Sequence, residues 1–319
     1  MNIQKPRGTQ DYFGREFTIR RELENKFVDF FVEKNYQGLE TPIFEQKNLF
    51  VRSVGEQTDI VQKELFDMEK KSDATYSLRP EFTAGVIRSL IEQGLKSMAQ
   101  PVKVFSVGPC FRYERPQKGR KRQFNQLNTE LIGKKSPEID ADYIVSQVEF
   151  LALAGLKGLE LVLNDFGSTE SRTSYANALA GYLNSSPNMC EICQTRVKNN
   201  PLRALDCKSQ ACRDVVLKGP KIDEYLSESE KENFAEIVKS IKTKVSKSAQ
   251  VMVDPLLVRG LDYYTGIVFE INTKGDESRI SSLGGGGRYD NLIKELGGPD
   301  MPSIGCGLGF ERIIENLSF

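Results

Sequence analysis

The pattern of this chain predicts an α+β fold in which two strand-bearing regions enclose a small helical insertion. Three observations point there. Apolar residues recur at helical spacing in 17–34 and in 140–155, and 82–95 is a further helix candidate, so several helices are expected. An alternating segment runs out to a basic loop at 115–122 and returns, as an antiparallel hairpin does. Polar, cysteine-bearing sequence then occupies 166–247, and β-type sequence resumes at Val251. The expected organisation is therefore a first core part over 1–165, an insertion over 166–247 and a second core part over 248–319.

The elements justify this in order. In 17–34, Ile19, Leu23, Phe27, Phe30 and Phe31 share one helical stripe. Gly38 to Phe44 reads as extended with a turn at Pro42, and 82–95 is a second helix after a strand ending in Leu78-Arg79-Pro80-Glu81. KVFSVGPCFRYE (103–114) and QFNQLNTELIG (123–133) are the hairpin arms. Residues 140–155 carry Ile144, Val148 and Leu151 on one stripe. Beyond the insertion, VMVDPLLVRGLDYYTGIVFEI, SSLGGGGRYD and IGCGLGFERII read as strands. The last enters a helix near Gly309 that runs to Phe319. No internal repeat or low-complexity linker is visible.

Composition sets limits. Lys+Arg and Asp+Glu are 44 each, so a basic overall balance does not argue for nucleic acid, and any such surface must be local. No stretch of about 18 apolar residues occurs, and the N-terminus has no signal-peptide core, so a cytoplasmic chain with no membrane partner is expected. Histidine is absent, which removes imidazole bases, nucleophile activation by His and His metal ligands. Chemistry must run on Arg, Glu, Asp, Tyr, Lys, Gln, Cys and the backbone.

Five constellations carry candidate chemistry. The hairpin tip holds five cations in eight residues: Arg115, Lys118, Arg120, Lys121 and Arg122. A solvated turn explains such a run equally well. However, Arg112 and Glu114 on one arm, and Phe124, Gln126 and Glu130 on the other, each fall on one face at strand spacing. A cation, a carboxylate and an aromatic beneath a basic loop suit a nucleotide. The run Gly284 to Gly287 reads either as a flexible loop or as bare backbone against which a ligand or strand packs. The flanking Arg288, Tyr289 and Asp290 favour the second. Tyr263 and Tyr264, if in a strand, point to opposite faces, so one at most lines a pocket; both as core aromatics is the plainer alternative, and Arg259 nearby favours a polar pocket. Gly305-Cys306-Gly307-Leu308-Gly309 is not a dinucleotide fingerprint, because the third glycine offset is wrong and no βαβ unit surrounds it. Small residues there let a flat ligand lie on the strand, with Arg312 over an adenine face. Finally, Cys190-x2-Cys193 with Cys207 and Cys212 is a candidate zinc site, against reduced structural thiols. Cys110 and Cys306 read as small buried residues.

Together these segments resemble a class II aminoacyl-tRNA synthetase core, and specifically the histidyl-tRNA synthetase family. GLETPIFE, FRYERPQKGRKRQF and GLGFERI resemble the three class motifs, in order. LVRGLDYYTG and SSLGGGGRYD resemble the two histidine signature peptides, and RGTQDYFG, VGEQTDIVQKELF, LRPEFTAG and NPLRALDCK are also similar to that family. The resemblance implies an antiparallel sheet of six or seven strands flanked by helices, and a homodimer joined through the first motif. It implies that histidine and Mg-ATP give histidyl-adenylate and pyrophosphate, and that the 3′ end of tRNA(His) takes the histidyl group. By the same resemblance, Arg112 and Arg259 are the catalytic arginines. Arg112, Glu114, Arg120, Phe124 and Arg312 bind ATP. Glu81, Thr83, Gln126, Glu130, Arg259, Tyr263 and Tyr264 bind histidine, while Gln117, Arg115 and Lys118 meet the tRNA acceptor end. The cofactors implied are Mg2+ with ATP and, from the cysteines, structural Zn2+.

There are departures from the family pattern. Phe82 stands where a smaller residue is common, and Tyr113 and Asn125 stand where His is frequent. The Cys-bearing insertion is shorter than usual. The sequence ends at Phe319, seven residues after Arg312, where the family continues into an anticodon-binding domain. With the lack of His, this raises the expectation of a truncated, engineered catalytic core. The rival is a non-catalytic paralogue, the regulatory subunit of an ATP phosphoribosyltransferase. The intact FRYERPQKGR loop, Arg259, the tetraglycine and NPLRALDCK favour the enzyme.

Overall fold

A computed structural model describes residues 3–69, 74–274 and 282–317. Its centre is a sheet of eight strands among the described residues, in the order β1-β4-β5-β10-β9-β8-β6-β7. These are β1 (Gln37–Gly38), β4 (Val102–Phe111), β5 (Gln123–Ile132), β6 (Leu159–Asp165), β7 (Ala249–Val253), β8 (Ile267–Thr273), β9 (Ser282–Arg288) and β10 (Ser303–Gly309). The five central pairings are antiparallel. The outermost pairs, β1 with β4 and β6 with β7, are parallel. The sheet thus has eight strands rather than six or seven, and it is mostly antiparallel rather than wholly so. A two-stranded ribbon, β2 (Phe44–Gln46) with β3 (Tyr76–Leu78), stands apart from it.

The helices fall close to the sequence reading. They are α1 (Arg15–Glu33), α2 (Lys47–Val54), α3 (Thr83–Glu92), α4 (Pro137–Leu153), α5 (Thr169–Asn184), α6 (Glu191–Asn199), α7 (Gln210–Lys218), α8 (Glu228–Lys244), α9 (Leu292–Glu295) and α10 (Phe310–Asn316). Local chemistry sets several starts. Ser136 accepts from the Ile139 N–H at 3.2 Å ahead of Pro137, and Ser227 with Glu230 forms a full capping box on α8. Within 166–247, α5 to α8 follow one another with short connections, and α8 leads into β7.

Strand alternation sends each sheet face to a different layer. Phe105, Leu127, Leu131, Phe269, Ile304, Cys306 and Leu308 face α1, α4, α8 and α10. Phe27 of α1 is the hub there, with ring centroids 5.9 Å from Phe105 and 5.1 Å from Phe150. Burying each such ring contributes roughly 1.5–3 kcal/mol. Val104, Ile132 and Val268 face α3, α9 and the helices of the cysteine-bearing region. On this second face the centre of the sheet carries almost no bulky side chains, and the cleft lies there.

Candidate active site

The cleft owes its floor to glycine. On β10 the alternation Ile304-Gly305-Cys306-Gly307-Leu308-Gly309 points every large side chain into the α1/α4 core and leaves bare backbone on the other face. A Cβ on Gly307 would overlap Nε2 of Gln126, and one on Gly305 would overlap Oε2 of Glu130. The tetraglycine run is the adjacent strand β9, not a loop. A Cβ on Gly285 would lie 3.0 Å from Cζ of Arg259, and on Gly286 one would meet the Gly305 and Cys306 backbone. The alternation therefore serves two packings at once: strand against strand, and polar side chains against bare backbone.

Above this floor is a cleft of about 530 Å³. Arg112, Glu114, Arg120, Phe124, Gln126, Arg259 and Arg312 all line it. Arg112 and Glu114 lie just past the end of β4 at Phe111, not within the strand. The Arg112 N–H still bonds the Arg122 carbonyl at 2.9 Å, so the hairpin arm carries on without ladder pairing. The Arg112 guanidinium donates to the Pro80 carbonyl at 3.0 Å and stands 5.3 Å from the Phe124 ring centroid. Arg312, on α10, donates to the carbonyls of Gly119 and Ser282 at 3.1 and 2.8 Å, which ties the hairpin tip to β9. Burial lowers the affinity of Arg312 for its proton, and the neighbouring charges of Arg112 and Arg120 lower it further. Three guanidinium groups held together against their own repulsion form a site for an anion.

Arg259 approaches from the loop between β7 and β8. Its Nη1 is 2.6 Å from Oε2 of Glu270, and among the described residues its buried Nε has no partner. Glu270 had no place in the sequence reading. Its signal is that it is the lone charge in the otherwise apolar GIVFEI. Glu311 was also missed. It accepts from the Asn125 N–H and from Arg20, both at 2.9 Å, fixing the start of α10 against β5.

The remaining histidine candidates gather beside the cleft, packed on one another rather than forming its wall. Glu130 accepts from Thr83 Oγ1 at 2.7 Å, from Asn128 Nδ2 at 3.0 Å and from the Tyr289 hydroxyl. Burial, aided by Glu81, outweighs these bonds and pushes its carboxyl up to about 8. Glu81 accepts the Thr83 and Ala84 N–H groups at the start of α3, at 2.6 and 2.9 Å, and burial raises its pKa too. Tyr263 and Tyr264 do not point to opposite faces. They sit in a turn between β7 and β8, where strand alternation does not apply, with ring centroids 4.6 Å apart; Tyr263 also packs on Tyr289 at 5.6 Å. Phe82 is buried, with the Arg79 guanidinium 4.1 Å from its ring centroid.

The basic tip divides. Arg120 pairs with Glu114 at 2.8 Å and, with Lys121, faces the cleft. Arg122 instead stacks 3.9 Å from the exposed Tyr113 ring. Arg115, Gln117 and Lys118 are exposed and outside the cleft lining. The cysteine-bearing region reaches the site, which its sequence alone did not indicate: Leu205, Asp206, Cys207, Lys208, Arg213 and Val216 form one wall. Arg203 donates to the Gly260 carbonyl at 2.6 Å, and Asn200 to Asp262 at 2.8 Å, so this wall is tied to the Arg259 loop. Ser281 of SSLGGGGRYD and the helix end at Phe319 lie outside the described residues.

Comparison with known proteins bears on what such a cleft belongs to. The family profile described as histidyl-tRNA synthetase matches residues 8–313. The chain belongs to the histidyl-tRNA synthetase family. It is similar to the histidine--tRNA ligase of Thermosipho melanesiensis, 45% identical over 312 residues, covering 98% of this chain and 73% of that protein. It is also similar to that of Oleidesulfovibrio alaskensis, 41% identical over 314 residues, covering 98% and 74%. Among solved structures, apo histidyl-tRNA synthetase of Staphylococcus aureus superposes with a TM-score of 0.77 at 33% identity, covering all of this chain and 75% of that one. An ATP phosphoribosyltransferase regulatory subunit/histidyl-tRNA synthetase of Bacillus halodurans shares the fold, with a TM-score of 0.72 at 22% identity, covering 100% of this chain and 84% of that one. The chain thus spans about three quarters of the length of its synthetase relatives. Among the described residues, no helix is long and apolar enough to cross a membrane.

Proposed function

We propose that this member of the aminoacyl-tRNA ligases activates histidine with ATP and passes it to the 3′ end of tRNA(His) in the cleft described above. The observation that carries the reading is the convergence of Arg112, Arg120 and Arg312 over a glycine floor, with Arg259 lining the same cleft. The adenine lies between Phe124 and the Arg312 guanidinium, with Glu114 reading its amino group. Arg120 holds the outer phosphates, and Arg112 and Arg259 hold the α-phosphate. Mg2+ accompanies ATP as substrate, and Glu270, a half-buried carboxylate on the cleft floor, suits a divalent cation shared with phosphate.

In the first step the histidine carboxylate attacks the α-phosphorus and pyrophosphate departs. A carboxylate is already ionised at neutral pH, so no general base is required, and a chain without His loses nothing. Catalysis then comes from alignment and from charge held ready for the in-line transition state. The histidine side chain is read by Glu81, Thr83, Gln126, Glu130, Tyr263 and Tyr264. Glu130, already bonded to Thr83 and to the Tyr289 hydroxyl, admits only a ligand that re-satisfies it, which favours an imidazole with two ring nitrogens. In the second step the terminal adenosine hydroxyl of tRNA attacks the histidyl carbonyl and AMP leaves. The exposed Arg115, Gln117 and Lys118 are placed to meet the acceptor end from outside the cleft. Exposed Ile43 and Phe44, at the β2 ribbon, fit a surface shared by two copies of the chain.

The test is ATP–pyrophosphate exchange with each of the twenty amino acids in turn. Exchange driven by histidine alone is expected. No exchange with any of them, together with tight binding to an ATP phosphoribosyltransferase, would establish the regulatory reading instead.

A further inference from the structure

Among the described residues, four cysteines contributed by two helices and the turn between them gather closely enough to hold a metal ion. Cys190 caps the start of α6 and Cys193 lies in its first turn. Cys207 follows the short helical turn at Pro201–Ala204, and Cys212 lies in the first turn of α7. Their four sulfur atoms all lie within 4.8 Å of one another, and Cys190 Sγ is 3.9 Å from Cys207 Sγ. A disulfide requires sulfurs about 2.05 Å apart. Tetrahedral zinc, with Zn–S bonds of about 2.3 Å, spaces its sulfurs at roughly 3.8 Å. The Cys190–Cys207 separation fits the second arrangement.

Two further features fit a charged thiolate cage better than four neutral thiols. The backbone N–H of Cys190 points to Cys212 Sγ at 3.2 Å, and that of Ser209 to Cys207 Sγ at 3.4 Å. Such donors stabilise sulfur that carries negative charge. Three of the four cysteines are buried and Cys190 is half-buried, although the helices that hold them are only nine residues each. Helices this short are marginal on their own, which is where a metal staple contributes most.

We propose that Cys190, Cys193, Cys207 and Cys212 bind one zinc ion as a closed structural tetrathiolate site. Four zinc–sulfur bonds form, and each thiol still protonated releases its proton to solvent, leaving a cage of net charge −2. No coordination position remains for water, so the ion is structural and does not itself catalyse. Its effect reaches the cleft through the chain it fixes. Cys207 lines the cleft wall beside Asp206 and Lys208, and Asn200 and Arg203, between the two cysteine pairs, bond the loop that carries Arg259.

The test is metal analysis of the reduced full chain purified without chelators, paired with cobalt substitution. About one zinc per chain is expected, released when a mercurial titrates the thiols. Cobalt added to the metal-free chain is expected to show the intense visible bands and sulfur-to-metal charge transfer of tetrahedral thiolate ligation. Cys190→Ser is expected to lose most of the zinc and the four-sulfur spectrum. Zinc well below a tenth of an equivalent with no cobalt spectrum would overturn the proposal. So would zinc retained undiminished in a Cys190→Ser, Cys193→Ser double variant, a red iron-loaded chain without zinc, or a Cys190–Cys207 disulfide in the chain purified from reducing medium. If the variants do not fold, the metal content and cobalt spectrum of the unaltered chain decide.

Discussion

Replacing Gly307 by alanine tests the glycine floor with the smallest perturbation available. The added methyl points into the cleft and overlaps only the amide end of Gln126, a flexible side chain, not backbone. The fold therefore has an inexpensive way to accommodate it. A flat ligand resting on that backbone has none, because atoms in contact sit at about 3.5–4.0 Å and the methyl lifts the ligand by roughly 1 Å. A misplacement of that size costs on the order of 100-fold in rate, or about 2.7 kcal/mol of transition-state stabilisation. The expected result is thus a loss of about two decades in kcat/KM for ATP in pyrophosphate exchange, with the melting temperature lowered by no more than a few degrees. Gly286→Ala supplies the contrast: its methyl would meet the Gly305 and Cys306 backbone, which cannot swing aside. It is expected to lose roughly 1–3 kcal/mol of stability. Wild-type exchange kinetics in Gly307→Ala would refute the placement of the nucleotide on this floor.

Three other outcomes follow from the same geometry. Arg259→Ala is expected to slow adenylate formation by on the order of 100- to 1,000-fold while ATP binding measured by calorimetry changes little; unchanged activation removes Arg259 from the mechanism. Arg203→Ala removes the bonds that hold the Gly260 carbonyl and Asp59, and it is expected to lower kcat/KM for histidine about 10-fold. Equal kinetics would show that the cysteine-bearing wall does not position the Arg259 loop. The Glu130 carboxyl rises from 4.5 to about 8 on folding, so its stabilising contribution is present below about pH 4.5 and is lost as pH climbs through about 8. Melting curves of the unaltered chain should therefore fall relative to Glu130→Gln across that window, and parallel curves would contradict the burial assigned to this group.

Much of this was readable from the residues, and the failures have physical causes. Phe124, Gln126 and Glu130 share a face because strand spacing dictates it, and the structure keeps them on one side of β5. The helices α1 and α4 were visible as apolar stripes, and α3 from its place after the strand ending in Glu81. Periodicity cannot show which strands become neighbours. The tetraglycine's flanking residues favoured bare backbone packed against a strand or ligand over a loop, and its place between β8 and β10 shows why no side chain fits. The two tyrosines misled because a turn carries no alternation, and nothing in DYY marks the end of a strand. Arg203 and Asp206 were hidden for another reason. They lie some fifty residues before the Arg259 loop in sequence, and only the packing of α6 and α7 brings them to it.

Whether this cleft makes one particular adenylate is measured directly by active-site titration. The chain is mixed with γ-labelled ATP, histidine and pyrophosphatase, and the first turnover is followed. A burst approaching one equivalent of ATP consumed per chain is expected with histidine, no burst with the other nineteen amino acids, and none in Arg259→Ala. A burst of equal size with a different amino acid, or none with histidine in a folded chain that binds ATP, would contradict it.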